Sequence, residues 1–168
     1  MPKDFLERRD SAVEAMRAFL KSSLHRRAVF LLLGKWGTGK TSALRNLASE
    51  MGKNVVNANL HLAKYVKVRN APRYMWRDLL EEGWRQLFRQ LATGDFIIID
   101  KVEIFYNYPR INFIRIAEEE CTIEKGKKAI IGIGGYIVAG RIYFCDDEYD
   151  LGGASDWKGR LLDLNTDP

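Results

Sequence analysis

Apolar residues recur along this chain in two rhythms. Phe5, Ala12, Ala15, Met16, Phe19 and Leu20 fall at three- and four-residue steps, which predicts a helix over residues 2–24 with Arg8, Asp10, Glu14 and Arg17 on its polar side. Residues 28–33 are an unbroken apolar run and read as a buried strand. Leu44, Leu47 and Ala48 return to helical spacing, and Gly52 with Lys53 ends that helix. Residues 54–62 alternate loosely and predict a second strand, with Asn57 and Asn59 either facing a ligand or finishing the strand. Residues 64–72 are basic and turn-like. Residues 73–93 predict a long amphipathic helix, with Met75, Leu79, Leu80, Leu87, Phe88 and Leu91 as its apolar set. Trp76 and Trp84 lie eight residues apart and would share one side of it.

Four consecutive apolar residues, 96–99, suit a strand covered on both faces. An aromatic turn at 106–109 leads to a helix over 110–121, a strand over 129–133 ending in Gly134-Gly135, and a short strand over 159–164. The alternation β-α-β-α-β-α-β-β predicts an α/β fold, a mainly parallel sheet with helices on both faces and a ligand at the strands' carboxyl ends. An N-terminal helix over residues 1–24 would precede a single compact domain over 25–168, with no C-terminal lid domain.

The turn between the first strand and its helix holds the first candidate chemistry. Residues 34–41 read G-K-W-G-T-G-K-T, the pattern G-x-x-x-x-G-K-[ST] in a strand-to-helix setting. Glycines at 34, 37 and 39 let backbone N–H groups close on phosphate oxygens, and the following helix points its positive end at them. Gly34, Lys35, Trp36, Gly37, Thr38, Gly39, Lys40, Thr41 and Ser42 are therefore the expected nucleotide-binding residues. Lys40 would reach the β- and γ-phosphates of ATP, and the Thr41 hydroxyl would bind Mg²⁺. Asp100, at the end of the 96–99 strand, is the second expected Mg²⁺ contact. The alternative for Asp100 is a cap on the next helix.

Many ATPases with an additional strand in the sheet place a glutamate directly after this aspartate, where it polarises the attacking water. Here Lys101 stands at that position, and Glu103 is the nearest substitute. Glu103 is thus the candidate catalytic base beside Lys40 and Asp100, or else a first-turn acid on a helix dipole. Arg110 and Arg115 are candidates for an arginine finger supplied to a neighbour's γ-phosphate. Two complete strands lie between the P-loop strand and the chain's end, and a full strand–helix unit separates the P-loop strand from the Asp100 strand. That spacing favours the additional-strand order over the kinase order.

Composition narrows the rest. The chain has 168 residues, 46% hydrophobic and 29% charged, as a soluble globular domain would. Its apolar runs are too short to span a bilayer, and its charged start lacks a signal-peptide core, so a cytoplasmic protein is expected. Cys121 and Cys145, like His25 and His61, form no metal-type or redox-type pair. A net charge of +5 permits DNA contact, with Arg26, Arg27, Lys64, Lys67 and Arg69 as candidates. The acidic run at 146–150 would be a solvent loop or a docking surface for a basic partner.

Several of these stretches occur in the same order in a known family. The chain resembles the BrxF family, small P-loop ATPases of type 3 bacteriophage-exclusion (BREX) systems. The resemblance rests on the P-loop at 34–41, the strand Val56-Asn57-Ala58-Asn59-Leu60, and the block 96–106 with its D-x-x-E. It extends to the strand ending Ile133-Gly134-Gly135 and the acidic-aromatic segment at 143–149, covering residues 25–164. It implies an AAA+-like ATPase fold and a role in prokaryotic antiviral defence. Partners would be other copies of the chain and other defence-system proteins, namely a methyltransferase, an alkaline-phosphatase-like protein and a large ATPase. Gly34, Gly37, Gly39, Lys40 and Thr41 would inherit the phosphate role, Asp100 the metal role, and Glu103 the acidic position. Gly134 departs from the family pattern, which has asparagine there as the polar sensor of the γ-phosphate.

Three functions follow from these residues. The first is an ATP-binding, slowly hydrolysing subunit whose nucleotide sets its assembly or its grip on partners and DNA. The second is a nucleotide-dependent adaptor that does not hydrolyse, favoured by Lys101 and the glycines at 134 and 135. The third is a small-molecule or nucleotide kinase, for which only Arg110, Arg115 and Arg141 would form a lid.

Overall fold

The computed structural model describes residues 3–23, 26–144, 147–149 and 157–165. His25 and Cys145 lie outside the described residues, as do Asp146 and Asp150 of the acidic run. Helix α1 (Lys3–Lys21) is followed by β1 (Val29–Leu33), α2 (Lys40–Glu50), β2 (Val55–Asn57), α3 (Ala58–Val68) and, after a 3₁₀ turn at Arg73–Met75, α4 (Trp76–Arg89). Strand β3 (Phe96–Asp100), a 3₁₀ segment (Glu103–Asn107), α5 (Phe113–Glu120) and β4 (Lys128–Ile133) complete the α/β part. A small ribbon of β5 (Gly135–Val138), β6 (Arg141–Phe144) and β7 (Asp147–Tyr149) precedes the last strand, β8 (Leu161–Asp163).

The main sheet has the order β2-β3-β4-β1-β8 and is parallel throughout. Strand β4 lies between β1 and β3, pairing Leu31 with Ile131 on one side and Ile131 with Ile99 on the other. This is the additional-strand order that the spacing predicts.

The apolar runs bury both faces of the sheet by the two-residue alternation of a strand. Val29, Leu31 and Leu33 join Ile97, Ile99, Ala129, Ile131 and Ile133 in one core, covered by α3, α4 and α5. Phe30, Leu32, Ile98 and Ile130 point the other way, into a second core with Met16 and Phe19 of α1 and Leu44 and Leu47 of α2. Helix α1 ends where the Lys128 ammonium takes over its last carbonyls, donating to Phe19 O, Leu20 O and Ser22 O at 3.2, 2.6 and 2.5 Å.

Three expected elements differ. The strand predicted over 54–62 stops at Asn57, whose side chain accepts a hydrogen bond from Leu60 N at 3.1 Å and starts α3. Ala58, Leu62 and Val66 then fall at four-residue steps and bury together, so the loose alternation there masks a helical stripe. Residues 64–68, expected as a turn, continue that helix. The helix expected over 110–121 begins only at Phe113, because Asn112 caps it by accepting from Arg115 N at 3.0 Å. The β5–β7 ribbon has no counterpart in the predicted elements. Its first turn places Ala139 and Gly140 at φ 49° and 76°, both positive, as a two-residue hairpin turn requires.

Trp84 settles the use of the long helix: it is fully buried, whereas Trp76 is half-buried at the edge of a cavity. Cys121 is buried as well, and desolvation pushes its thiol up to about 12, so it behaves as a small apolar residue.

Candidate functional site

The P-loop leaves the carboxyl end of β1 and closes on itself. A side chain at Gly34 would put its Cβ 2.2 Å from Thr38 Oγ1, and one at Gly39 (φ 92°) would meet the Phe5 ring at 2.9 Å. Both positions therefore need glycine, the first for the loop's own fold and the second for close approach of α1. The Lys40 ammonium donates to Gly34 O at 2.6 Å and Lys35 O at 3.2 Å. Burial holds its pKa below the ordinary lysine value, Lys101 adds to that, and Asp100 and Glu103 oppose it.

Asp100 is only 5% exposed, set by the buried strand β3. Its Oδ2 accepts a 2.7 Å hydrogen bond from the Thr41 hydroxyl, and its Oδ1 accepts from Lys101 N at 2.9 Å. Asp100 thus meets the P-loop helix and caps no following helix. The two oxygens of Thr41 and Asp100 converge on one point, a donor set of the hard-oxygen type that Mg²⁺ prefers. Among the described residues no group of three or more His, Cys, Asp or Glu could hold a metal, so any such ion would rely on phosphate and water for its remaining ligands.

The chain then turns sharply. Lys101 adopts φ 61°, a left-handed conformation unusual for a side-chain-bearing residue. Its carbonyl accepts from Asn59 N at 2.9 Å. Glu103 opens the 3₁₀ segment, and its Oε2 accepts from Asn59 Nδ2 at 2.9 Å, while Asn59 Oδ1 accepts from Ile104 N at 2.8 Å. Of the two asparagines noted in the sequence, Asn57 caps a helix and Asn59 clamps Glu103. Replacing Asn59 by Ala leaves Ile104 N and one Glu103 oxygen without their partner. We expect a loss of about 1–2 kcal/mol in urea denaturation, and an unchanged midpoint would show that the clamp is not formed in solution.

A cleft of 310 Å³ joins these groups: Lys35, Trp36, Lys40, Thr41, Asp100, Lys101, Glu103, Tyr106, Gly134, Gly135 and Tyr136 line it. A second hollow of 250 Å³ borders the P-loop with Phe5, Gly37, Gly39 and Ser42. The expected residues therefore meet around one phosphate-sized space, except Thr38, whose hydroxyl closes the loop by donating to Lys35 O at 2.8 Å, and the two arginines. Arg110 is exposed, and Arg115 is exposed and pairs with Glu119 at 3.2 Å; neither lines the cleft of its own chain. Arg27 pairs with Glu118 and precedes the amino end of β1, whereas Lys64, Lys67 and Arg69 lie on or beside α3. The basic candidates do not form one patch.

Three residues at the cleft escape sequence reasoning. Lys101, read there only as a missing glutamate, supplies a second cation. Tyr106 donates its hydroxyl to Gly134 O at 3.2 Å, so the glycine at the sensor position makes room for a side chain from the 3₁₀ segment. Asn165 ties the P-loop to the ribbon, accepting from Lys35 N and donating to Gly135 O, both at 2.7 Å. The pair of glycines and the aromatic turn at 106 were the available signals for Tyr106; Asn165 offers none.

A glycine-rich phosphate loop on β1, an aspartate on β3 facing its threonine, and β4 between them define a P-loop NTPase of the additional-strand order. The chain belongs to the KAP family of P-loop NTPase domains, which matches residues 9–131. No curated protein matches it. Among solved structures it is similar to PCH-2 of C. elegans, at 15% identity and a TM-score of 0.41, covering 75% of this chain and 36% of that one. No helix among the described residues is long and apolar enough to cross a membrane.

Proposed function

We propose that this chain binds ATP with Mg²⁺ and hydrolyses it slowly, as an AAA+-like subunit whose nucleotide state governs assembly with further copies and engagement of partners. The observation that carries this reading is the convergence of Lys40, the Thr41–Asp100 pair and Glu103 on one cleft. Lys40 would exchange its two loop carbonyls for phosphate oxygens, and burial makes that anion worth more to it than it would be in water. Thr41 and Asp100 would hold Mg²⁺, which when bound neutralises phosphate charge. Glu103 would accept the proton of the attacking water once it leaves Asn59. Arg110 and Arg115 would act only on a neighbouring copy. The antiphage setting, with BREX components as partners, is supported by the resemblance of residues 25–164 to BrxF.

The clamp on Glu103 favours a second reading, a nucleotide-dependent adaptor that hydrolyses nothing. Mass in solution with and without ATP–Mg²⁺, measured beside phosphate release, separates the two. For the ATPase, Glu103→Gln keeps binding and assembly while release falls by roughly 10²- to 10⁴-fold, as removal of a general base predicts. Undiminished release in that variant would remove Glu103 from the mechanism, and no release from the parent in any assembly state would favour the adaptor.

A further inference from the structure

The largest described cavity, 670 Å³, is separate from the phosphate cleft. It lies between α3, the start of α4 and the 3₁₀ segment, and its far wall includes Ile104, the neighbour of Glu103. Its lining combines two aromatic rings, Trp76 and Tyr108, with two side-chain amides, Asn70 and Asn107, and one cation, Lys67. Trp76 is fixed there by donating its indole N–H to Ala71 O at 3.0 Å.

The rim is strongly basic. From Met51 to Arg77 the chain has no aspartate or glutamate, and Lys64, Lys67, Arg69, Arg73 and Arg77 cluster along α3 and the start of α4, all exposed. The Arg69 guanidinium lies 3.5 Å from the Tyr65 ring, and that of Arg73 lies 5.9 Å from the Trp76 ring. Tyr74, 83% exposed, stands beside them with Val68 and Met75 also open to solvent. Flat aromatic faces take up an unstacked base, amides pair with its edges, and cations without nearby acids follow a phosphate backbone.

We propose that this corner binds single-stranded nucleic acid, one unstacked base entering the cavity and the flanking phosphates lying on the α3–α4 rim. The size of the cavity suits a nucleotide. A duplex keeps its bases stacked and would reach only the rim. An acidic peptide would satisfy the cations but leaves the paired amides and rings without a matching planar group. This inference does not rest on hydrolysis, so it is tested without ATP.

The test is fluorescence anisotropy of the full chain with a labelled 15-nucleotide oligo-dT and a labelled 15-base-pair duplex, at 50 and 200 mM salt. The strand is expected to bind about tenfold more tightly than the duplex, from stacking of a base, and both affinities fall steeply with salt. Ala63→Trp places a large ring on the exposed cavity rim; it should abolish the preference for the strand and spare duplex binding. Tyr74→Ala, at a site with no role in the core, should weaken strand binding about fivefold, the value of one stacking contact. Lys67→Glu with Arg73→Glu should lower both affinities at least about tenfold by charge reversal. Absence of binding at 50 mM salt would overturn the proposal. So would equal affinity for strand and duplex, or strand binding indifferent to both Ala63→Trp and Tyr74→Ala. Tighter binding of a labelled Glu/Leu peptide than of the strand would assign the corner to a protein partner instead.

Discussion

Replacing Lys40 by Ala is expected to weaken ATP binding about a hundredfold, the equivalent of about 3 kcal/mol for charge-assisted hydrogen bonds to phosphate. The argument starts from the empty hand of the side chain. Its ammonium is partly buried, and the two neutral carbonyls of Gly34 and Lys35 stand where a phosphate oxygen would be a better partner. An incoming phosphate supplies full negative charge in a cleft where Asp100 is already engaged with Thr41 and Lys101 N. The variant should fold normally, because position 40 opens α2 and alanine is a good helix former. Calorimetric titration with ATP–Mg²⁺ checks the affinity and a thermal melt checks the fold. A dissociation constant within twofold of the parent, in a folded variant, would mean that Lys40 does not touch phosphate.

The same residue shows why the phosphate loop was legible and other parts were not. G-x-x-x-x-G-K-[ST] is a contiguous pattern, and its chemistry follows from backbone geometry that the glycines dictate. Strand β3 was legible for a similar reason: a run buried on both faces and ending in one acid has few other uses. Asn59 was visible as a polar residue near the site, but its partner Glu103 is 44 positions away, and nothing local ties the two. Asn165 lies 130 positions from Lys35 and is brought to it only by β8 pairing beside β1. Tyr106 replaces a missing side chain at Gly134 from another element altogether. Contacts set by sheet order escape a one-dimensional reading, whereas contacts set by a single turn do not. The misplaced boundary at Asn57 has another origin. V-V-N-A-N-L-H-L satisfies strand alternation and a four-residue stripe equally, and only the cap on Leu60 N decides.

Trp84→Ala should produce the largest loss of stability in the chain, on the order of 3–5 kcal/mol for the aromatic deletion and a further 1–3 kcal/mol for an orphaned carbonyl. Trp84 is fully buried, and its indole N–H donates to Phe113 O at 2.7 Å. Its ring meets Phe88, Phe105 and Phe113 edge-on, with centroids 4.9, 5.1 and 6.0 Å away. Phe105 in turn stacks on Phe113 at 4.7 Å. One side chain therefore joins α4, α5 and the 3₁₀ segment that presents Glu103 and Tyr106 to the cleft. A loss of this size approaches the whole stability of a small domain, so the informative series pairs Trp84→Ala with Trp84→Phe, which keeps a ring and loses the hydrogen bond. Urea denaturation should place Trp84→Phe between the parent and Trp84→Ala. Where Trp84→Ala folds, added indole should raise its midpoint by refilling an apolar void, and should leave the parent unchanged. If Trp84→Ala lay within about 1 kcal/mol of the parent, below the usual range for a buried aromatic, the aromatic cluster would not be what holds Glu103 in place. The support for that residue would then have to come from Asn59 alone.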